Sequence, residues 1–420
     1  MAMVSFAFGG DWMQWRGPFM NGSSEETGLV GDWSVEKNVK WSTELPGTGA
    51  STPIVCKGRV FVSSTDSAGK DLLGMCFDSA TGKEIWRKTL TTANRKIARK
   101  GDMAAPSAST DGQRVYFTFE NGVIAATDFA GEIVWKRKLE EEYGSVHIKF
   151  GYSSTPLLFD GRMYVAVFRH PDQYLGEEGK PRDSFILAIG PVSGKNIFKQ
   201  PRQFDALDET NDSYISPVPF VNKGRREILV NAAGYLTSHD PATGKELWRY
   251  NYCLKPHRWG RNIASVVTGN GMIFGARERG NGFYAINGGA TGLVEEKEVA
   301  WTFDGPAPDV CTPLFYRGRL YVLDGGRKKV VTCLDPKTGK VRWTGKLGGS
   351  SPWRASLTAA DGKIFCINED GLVVVFNAGG DMYKEISRVD LEDKKSLGSI
   401  AIAENALFIR TGSKLYRIQK

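Results

Sequence analysis

The sequence predicts an all-β protein folded as an eight-bladed β-propeller of four-stranded antiparallel blades. A phrase that ends in tryptophan recurs along the 420-residue chain, and a second phrase of two short apolar strands around a glycine turn precedes each copy. Repetition at a period of roughly 40 to 50 residues is typical of propellers and solenoids. The 49 glycines and 11% aromatic residues also favour many short strands joined by tight turns.

The phrase that ends in tryptophan is clearest in "HDPATGKELWRY", residues 239–250. Asp240 can accept a hydrogen bond from the backbone two residues on, Pro241 fixes its own φ, and Gly244 supplies the positive φ of a bulged hairpin. Trp248 then lies on an outer strand, where its ring can fill the wedge between neighbouring sheets. The copies end at Trp86, Trp135, Phe198, Trp248, Trp301, Trp343 and, in a degenerate seventh copy, Ile386.

The second phrase sets the number of blades. It reads "STPIVCKGRVFVSS" from Ser51, "STPLLFDGRMYVAV" from Ser154 and "CTPLFYRGRLYVLD" from Cys311, with five weaker forms elsewhere. Together the two phrases supply an inner strand, its partner, the strand that enters the turn and the outer strand. Eight such units are therefore predicted.

The last unit indicates how the ring closes. After "SKLYRIQK" the chain stops at Lys420, so this unit has no outer strand of its own. The segment "NVKWSTEL", residues 38–45, has the pattern of an outer strand, and Trp41 falls one period before Trp86. We expect this N-terminal strand to pair into the last blade, which also removes two free sheet edges. The chain is thus divided into an arm, residues 1–38, and a single propeller, residues 39–420.

The first residues carry a weak targeting signal. The stretch "MAMVSFAFGGDW" contains a short apolar run that ends in a small-x-small pattern, Ala7 to Gly9, as at a signal-peptide cleavage site. A basic start and most of the apolar core are missing, so we interpret it as a truncated export signal; an ordinary flexible terminus is the alternative. Export predicts a periplasmic or cell-envelope location. No run approaches the ~18 apolar residues of a membrane span, so no transmembrane segment is expected.

Composition and motifs restrict the partners, metal sites and reactions that the sequence supports. The net charge of +8 is spread out, without a block of five like charges, and no nucleic-acid partner is expected. The six cysteines lack metal-site spacing, and only four histidines are present, so no metal site is predicted. No phosphate loop, nucleophile elbow or metalloprotease motif occurs, and no catalytic residue is assigned. A monomer is expected. The cysteines are Cys56, Cys76, Cys253, Cys311, Cys333 and Cys366.

The phrases "MCFDSATGKEIW", "LTSHDPATGKELW" and "VTCLDPKTGKVRW" resemble the repeats of the PQQ-like (quinoprotein dehydrogenase-type) propeller family. The resemblance covers residues 39–420 and implies the eight-bladed fold. The segment "DWMQWRGPFMNG", residues 11–22, is similar to the start of exported bacterial PQQ-like repeat proteins.

Two branches of that superfamily differ in function. The resemblance to the dehydrogenases implies an adjacent cysteine pair above the quinone, a calcium ion held by Glu and Asn, and an Asp base. No two cysteines are adjacent here, and dehydrogenases are usually much longer, so none of those residues can be carried over. The chain is therefore closer to the branch similar to the BamB propeller, which binds protein partners and no quinone.

Candidate binding residues come from the loops that precede the inner strands. Trp259 and Trp353 lie outside the docking phrase, and each is next to an arginine. An aromatic ring beside guanidinium groups suits sugar rings, carboxylates or planar anions. The alternative is that these side chains plug the axial hole and pair with Asp309. The candidate ligand- or partner-binding residues are His147, Lys149, Tyr152, Tyr214, Arg258, Trp259, Arg261, Asp309, Trp353 and Arg354.

The longest insertion, residues 170–184, is expected to overhang the same face. Insertions on one face of a propeller often build a binding surface, although a plain solvated loop is the more common outcome. Its flexible spacing and single histidine do not favour a metal cluster. The residues weighed for such a cluster are His170, Asp172, Glu177 and Glu178.

The leading hypothesis is an exported, non-catalytic scaffold that presents a basic aromatic funnel to an envelope protein or a carbohydrate, without a cofactor. The alternative is an enzyme of the same fold. It would be a PQQ-dependent alcohol or sugar dehydrogenase with calcium, or an enzyme that acts on polysaccharides. Quinone chemistry would need a divalent cation with oxygen ligands, a stacking floor and a base in the funnel.

Overall fold

The computed structural model describes residues 10–97, 101–169, 183–255 and 258–420. Their strands form eight sheets that follow one another around a central axis, and each sheet has four antiparallel strands from an inner to an outer one, with one extra strand in blade four. The prediction of an eight-bladed, all-β propeller is therefore confirmed. The first strand, β1 (Val39–Glu44), belongs to blade eight.

The first four blades follow the chain in order. Blade one contains β2 (Ile54–Cys56), β3 (Arg59–Thr65), β4 (Asp71–Asp78) and β5 (Glu84–Thr92). Blade two contains β6 (Ser109–Thr110), β7 (Arg114–Thr118), β8 (Val123–Asp128) and β9 (Ile133–Lys138). Blade three contains β10 (Leu157–Phe159), β11 (Arg162–Val167), β12 (Ser184–Ile189) and β13 (Asn196–Arg202). Blade four contains β14 (Val218–Asn222), β15 (Arg225–Ala232), β16 (Tyr235–His239) and β17 (Glu246–Asn251).

The remaining blades complete the ring. Blade five contains β18 (Val267–Gly269), β19 (Met272–Ala276), β20 (Phe283–Asn287) and β22 (Trp301–Phe303). Blade six contains β23 (Leu314–Tyr316), β24 (Arg319–Asp324), β25 (Val330–Leu334) and β26 (Val341–Lys346). Blade seven contains β27 (Thr358–Ala360), β28 (Lys363–Ile367), β29 (Leu372–Asn377) and β30 (Glu385–Asp390). Blade eight contains β31 (Ala401–Ala403), β32 (Ala406–Arg410) and β33 (Lys414–Ile418), with β1 outside them.

Helices contribute little to the described part of the chain. The α-helices are α1 (Val35–Asn38) and α2 (Leu139–Tyr143), and 3-10 turns span Asp208–Asn211, Glu278–Gly280 and Glu296–Glu298. Among the described residues, no helix has the length and apolar character needed to cross a bilayer.

The N-terminal strand closes the ring as predicted. In β1, Trp41 pairs with Arg417 and Glu44 with Lys414, which places β1 antiparallel to β33 at the outer edge of blade eight. The preceding arm packs against the inner strands, because Trp12 forms a β-bridge with Val55. First and last segments of the chain therefore share one blade.

Blade four departs from the prediction of four strands in every blade. The connection between the last two strands of blade five contains an extra strand, β21 (Gly292–Val294), which pairs in parallel with β17 of blade four. Trp248 lies opposite Gly292, and Tyr250 opposite Val294. This blade is five-stranded because the connection is long enough to return along the outer edge of its neighbour.

Four of the tryptophans that were predicted to pack between blades also form a hydrogen bond to the next blade. In each, the indole N–H donates to a backbone carbonyl oxygen in the turn of the next blade. The pairs are Trp41 with Ser79 (3.0 Å), Trp86 with Phe129 (2.9 Å), Trp135 with Pro191 (2.8 Å) and Trp301 with Pro336 (2.9 Å). The turn glycine makes this approach possible, since a Cβ on Gly131 would lie 2.8 Å from the Trp86 ring.

Two tryptophans dock differently. The indole N–H of Trp248 donates to Glu227 Oε2 of its own blade at 2.7 Å, although the ring belongs to the same apolar cluster as Ile273 of blade five. The indole nitrogen of Trp343 has no hydrogen-bond partner in the described part of the chain, and its ring packs on Tyr383 of blade seven at 6.0 Å. Packing between blades is retained where the hydrogen bond is not.

Candidate functional site

A cavity of about 350 Å³ lies on the axis of the ring. Its mouth is formed by the loops that precede the inner strands, which contribute Phe150, Tyr214 and Arg261. Trp15 of the arm also lines the cavity. The backbone of Trp12 bonds to Val55, which lies beyond the start of inner strand β2, so the arm covers the end opposite the mouth.

A closed ring of hydroxyl groups surrounds this cavity. Each blade has a serine or threonine just before its inner strand, and its backbone N–H donates to the hydroxyl oxygen of the same residue in the next blade. We call these eight residues the hydroxyl belt. Its bonds run from Thr52 N to Ser107 Oγ (2.9 Å), Ser107 N to Thr155 Oγ1 (3.0 Å), Thr155 N to Ser216 Oγ (2.9 Å), Ser216 N to Ser265 Oγ (2.9 Å), Ser265 N to Thr312 Oγ1 (3.1 Å), Thr312 N to Ser356 Oγ (3.0 Å), Ser356 N to Ser399 Oγ (3.2 Å) and Ser399 N to Thr52 Oγ1 (2.9 Å).

The hydroxyl belt satisfies a need that the fold creates. These N–H groups are buried, and an unpaired buried N–H is costly. A short hydroxyl side chain fits between converging strands and accepts the bond. The belt was not among the predicted site residues, yet its signal is present in the repeats: Thr52 in "STP", Thr312 in "CTP" and Ser399 in "GS" occupy one position of the second phrase.

An ion-pair network bridges three blades at the mouth. Arg261 of blade five lies 3.1 Å from Glu209 Oε1 of blade four and 3.3 Å from Asp309 Oδ2 of blade six. Asp309 Oδ1 and Arg261 Nε are buried and have no hydrogen-bond partner among the described residues. The alternative interpretation of the sequence is a plug of the axial hole in which these side chains pair with Asp309. Arg261 does form this pair, but the cavity remains open beside it.

A second group lies on the face around the mouth, and we call it the rim cluster: Lys149, Arg258 and Trp259. Trp259 is 58% exposed, and the Lys149 ammonium lies 5.4 Å from its ring centroid. Arg258 Nε lies 3.2 Å from Asp208 Oδ2, with most of its side chain in solvent. An exposed indole therefore contacts one cationic side chain and is next in sequence to another.

Trp353 and Arg354 are adjacent in the sequence, but their side chains have different environments in the fold. Trp353 is 1% exposed, and its indole N–H donates to the Gly348 carbonyl oxygen at 2.9 Å. Arg354 lines the cavity and forms an ion pair with Glu369 of the same blade. The Trp353 ring is thus part of the core of blades six and seven, whereas Arg354 faces the mouth.

Two more predicted residues point away from the cavity. Tyr152 is 2% exposed within an apolar cluster, and burial raises the pKa of its phenol. His147 Nδ1 lies 2.5 Å from Oε1 of Glu120, a fully buried carboxylate of blade two. Neither side chain lines the cavity. The predicted residues that do line it are Tyr214, Arg261, Asp309, Trp353 and Arg354.

The residues at the cavity do not fit a calcium-bound quinone. Its carboxylates are Asp102, whose pKa is raised by burial, and Asp309, which is paired with Arg261. No group of three or more His, Cys, Asp and Glu side chains that could hold a metal occurs in the described ranges. All six cysteines are buried, and burial raises the pKa of the Cys311 thiol to about 12.

Two predictions fall outside the described ranges and stay predictions. They are the export signal at residues 1–9 and the insertion expected to overhang this face, whose residues 170–182 include the unfavoured metal cluster of His170, Asp172, Glu177 and Glu178.

Comparison with solved structures shows the same fold in proteins of different function. The chain is similar to a europium-containing methanol dehydrogenase, with a TM-score of 0.73, 12% identity, and 98% of each chain covered. It is similar to the quinohemoprotein alcohol dehydrogenase from Comamonas testosteroni, with a TM-score of 0.67, 14% identity, and 99% of this chain and 81% of that one covered. BamB from Moraxella catarrhalis gives a TM-score of 0.58, 12% identity, and coverage of 91% and 99%.

At these identities, similarity in structure establishes the fold alone. No curated protein matches the chain. One family model does match, and its matches at residues 25–171, 70–287 and 232–418 overlap along most of the chain. The chain therefore belongs to the PQQ-like repeat family whose model is described as outer membrane protein assembly factor BamB.

Proposed function

We propose that this chain is a non-catalytic, exported propeller that binds an envelope protein through the rim cluster around the mouth of its cavity. The observation that carries the proposal is the 58% exposure of Trp259, whose ring contacts the Lys149 ammonium and which follows Arg258 in the sequence. Tryptophan and arginine are enriched among the residues that dominate binding energy at protein interfaces.

The charges of the rim cluster indicate the chemistry of the partner. Lys149 and the well-exposed Arg258 favour a partner segment that carries acidic side chains next to an apolar residue for the indole. The family's description as an outer membrane protein assembly factor supports a protein partner and a location in the cell envelope. The lack of a calcium ligand set in the described cavity supports a binding role over quinone chemistry.

Site-specific photocrosslinking tests this proposal. A photoreactive amino acid replaces Trp259 in the producing cell, and crosslinked proteins are identified by mass spectrometry. Leu293, 63% exposed on the extra strand of blade four, is the matched control position. We expect one envelope protein to crosslink at position 259 and not at 293, and a Lys149→Glu/Arg258→Glu variant to lose it.

Thermal unfolding shows whether the fold is unchanged. Arg258 is largely in solvent, whereas Lys149 pairs with the buried Glu209 carboxylate at 3.4 Å. Arg258→Glu alone is therefore expected to unfold at the same temperature as the wild type, and it is compared with the double variant. Equal crosslinking at 259 and 293, or a partner retained after charge reversal, contradicts the proposal. If soluble oligosaccharides quench the fluorescence of Trp259 and no protein crosslinks, the partner is a carbohydrate instead of a protein.

A further inference from the structure

The outer edges of blades two and four have the same local geometry. In both blades, the pairing of the last two strands skips the residue before the docking tryptophan, which is Val134 in β9 and Leu247 in β17. The three residues after the skipped position are therefore equivalent: Trp135, Lys136 and Arg137 in blade two, and Trp248, Arg249 and Tyr250 in blade four. What covers one of these edges indicates what fits the other.

The edge of blade four is covered by the chain itself. Strand β21 adds to it in parallel, with Leu293 opposite Arg249 and Val294 opposite Tyr250. Leu247 is partly buried and packs on the same apolar cluster as Ala290, which lies just before β21. An outer edge of this shape thus accepts a parallel strand, and the added segment also shields the apolar residue at the skipped position.

The edge of blade two is open in the described part of the chain. Strand β9 is the last of its sheet, and its residues 135–137 make no backbone hydrogen bond outside the ladder to β8. Ile133 is 45% exposed and Val134 is 49% exposed. Proline and glycine, which block or weaken an added strand, are absent from β9, whereas β13 of blade three contains Pro201.

Blade two also lacks a counter-charge that blades one and four supply internally. In those blades a glutamate at the start of the outer strand pairs with the arginine three residues later. The pairs are Glu84 with Arg87 at 2.6 Å and Glu246 with Arg249 at 2.5 Å. Blade two has Ile133 in place of the glutamate, and Lys136 Nζ donates to the Leu90 carbonyl oxygen at 3.2 Å. Among the described residues, Lys136 has no carboxylate within ion-pairing distance.

We propose that the outer edge of blade two binds an extended segment of a partner protein as an added parallel strand, with apolar residues beside Ile133 and Val134 and an acidic residue opposite Lys136. In strand addition, main-chain hydrogen bonds give affinity and the neighbouring side chains give specificity. Lysine on an edge strand discourages unwanted pairing, and here it restricts the edge to acidic segments.

This inference does not rest on the proposed function of the rim cluster. Strand β9 lies at the perimeter of blade two, because it is the outermost strand of its sheet. The rim cluster lies on the face around the mouth of the cavity. The two surfaces can therefore be tested separately in one protein.

Ile133→Glu gives blade two the internal counter-charge of blades one and four, and it places a like charge beside an acidic partner. Val341→Glu is the matched control, because Val341 starts the outer strand of blade six and is 49% exposed. A displayed library of random peptides of about ten residues, the length of a long strand, is selected on the full-length wild-type chain. Enriched peptides are synthesised, and fluorescence anisotropy measures their binding to the wild type and both variants.

We expect enriched peptides in which apolar residues precede an aspartate or glutamate, and we expect them to slow hydrogen exchange in residues 135–137 of the wild type. These peptides should bind Ile133→Glu about ten-fold more weakly than the wild type, and Val341→Glu equally well. Lys136→Glu should weaken the same peptides at least as much. Thermal unfolding verifies that each variant is folded, since all three changes lie at exposed positions of an edge strand.

The proposal is overturned if no enriched peptide slows hydrogen exchange in β9, or if the peptides that do so bind Ile133→Glu as tightly as the wild type. Peptides that protect only residues 258 and 259 also overturn it, but they leave the proposal for the rim cluster intact. Protection of β9 without peptide that rises with protein concentration would assign this edge to a second copy of the chain and would overturn the partner segment.

Discussion

Two rings of contacts hold neighbouring blades together, and they differ in regularity. On the outside, Trp41, Trp86, Trp135 and Trp301 donate to the turn of the next blade, but Trp248 bonds within its own blade. On the inside, the hydroxyl belt repeats without exception in all eight blades. Inner strands converge, so one short side chain fits, whereas the outer wedge is wide enough for several solutions.

Removing the N-terminal segment that closes the outer ring is expected to have the largest effect. Deletion of residues 1–45 removes β1 from blade eight and the arm that packs on the inner strands. We expect loss of cooperative thermal unfolding, measured by circular dichroism. A truncated protein with an unchanged melting curve would show that the ring is stable without its N-terminal strand.

Breaking one outer contact comes next. Trp86→Ala removes a ring that is 8% exposed, together with its bond to the Phe129 carbonyl oxygen. Large-to-small changes of this kind cost about 3–5 kcal/mol of unfolding free energy, which chemical denaturation measures. The control Ile85→Ala, at a neighbouring residue that is 40% exposed, is expected to change stability by less than about 0.5 kcal/mol.

Acid is expected to weaken the outer ring at blade four. His239 is buried, its Nδ1 lies 2.9 Å from the carbonyl oxygen of turn residue Gly244, and its Nε2 lies 2.8 Å from Thr237 Oγ1. Desolvation lowers the pKa of its imidazole from 6.5 to about 4. The unfolded chain therefore binds the proton first, and stability present above pH 6.5 is lost as the pH falls through this window.

The expected loss is about 3 kcal/mol by pH 4, since each pKa unit corresponds to about 1.4 kcal/mol. Denaturation curves between pH 7 and 4 measure it. His239→Gln, which has no titrating ring, should flatten this part of the stability profile. An equally steep profile in the variant would assign the acid effect to other groups.

Breaking one inner contact is expected to have the smallest effect. Ser107→Ala removes the oxygen that accepts the Thr52 N–H, and an orphaned buried donor costs about 1–3 kcal/mol. Ser107→Thr keeps the hydroxyl, as at the equivalent Thr155, and should be close to neutral. Urea denaturation of both variants gives the difference; a loss in Ser107→Ala as large as in Trp86→Ala would mean that both rings carry equal weight.

Much of the fold could be predicted because turn chemistry is local. Asp240 and Gly244 form their turn from residues within a few positions, and Asp240 Oδ1 accepts the Ala242 N–H at 3.0 Å as the pattern requires. The pairing of β1 with the last blade could also be predicted, because the eighth unit had no outer strand and the strand around Trp41 belonged to no other unit. The extra strand β21 could not, because its three residues carry no pattern that distinguishes an edge strand from a loop.

The candidate site was predicted less well, and the reason lies in side-chain direction. Two sites in the sequence place an arginine next to a tryptophan: Arg258–Trp259 and Trp353–Arg354. In the structure, however, Trp259 is 58% exposed and Trp353 only 1% exposed. Irregular loops have no periodicity that indicates which face is buried. Arg16 gave no signal as a buried cation, because two of its carbonyl partners, Leu357 and Pro313, lie about 300 or more positions away.

The number of blades, their order and the closure of the ring follow from the amino-acid pattern, because periodicity and turn-forming residues act over short distances along the chain. The axial cavity, the hydroxyl belt around it and the buried charge of Arg16 exist only once eight separate segments converge on one axis. Each hydroxyl bond joins residues 43 or more positions apart. Local patterns define the blades, whereas chemistry at the axis depends on their convergence.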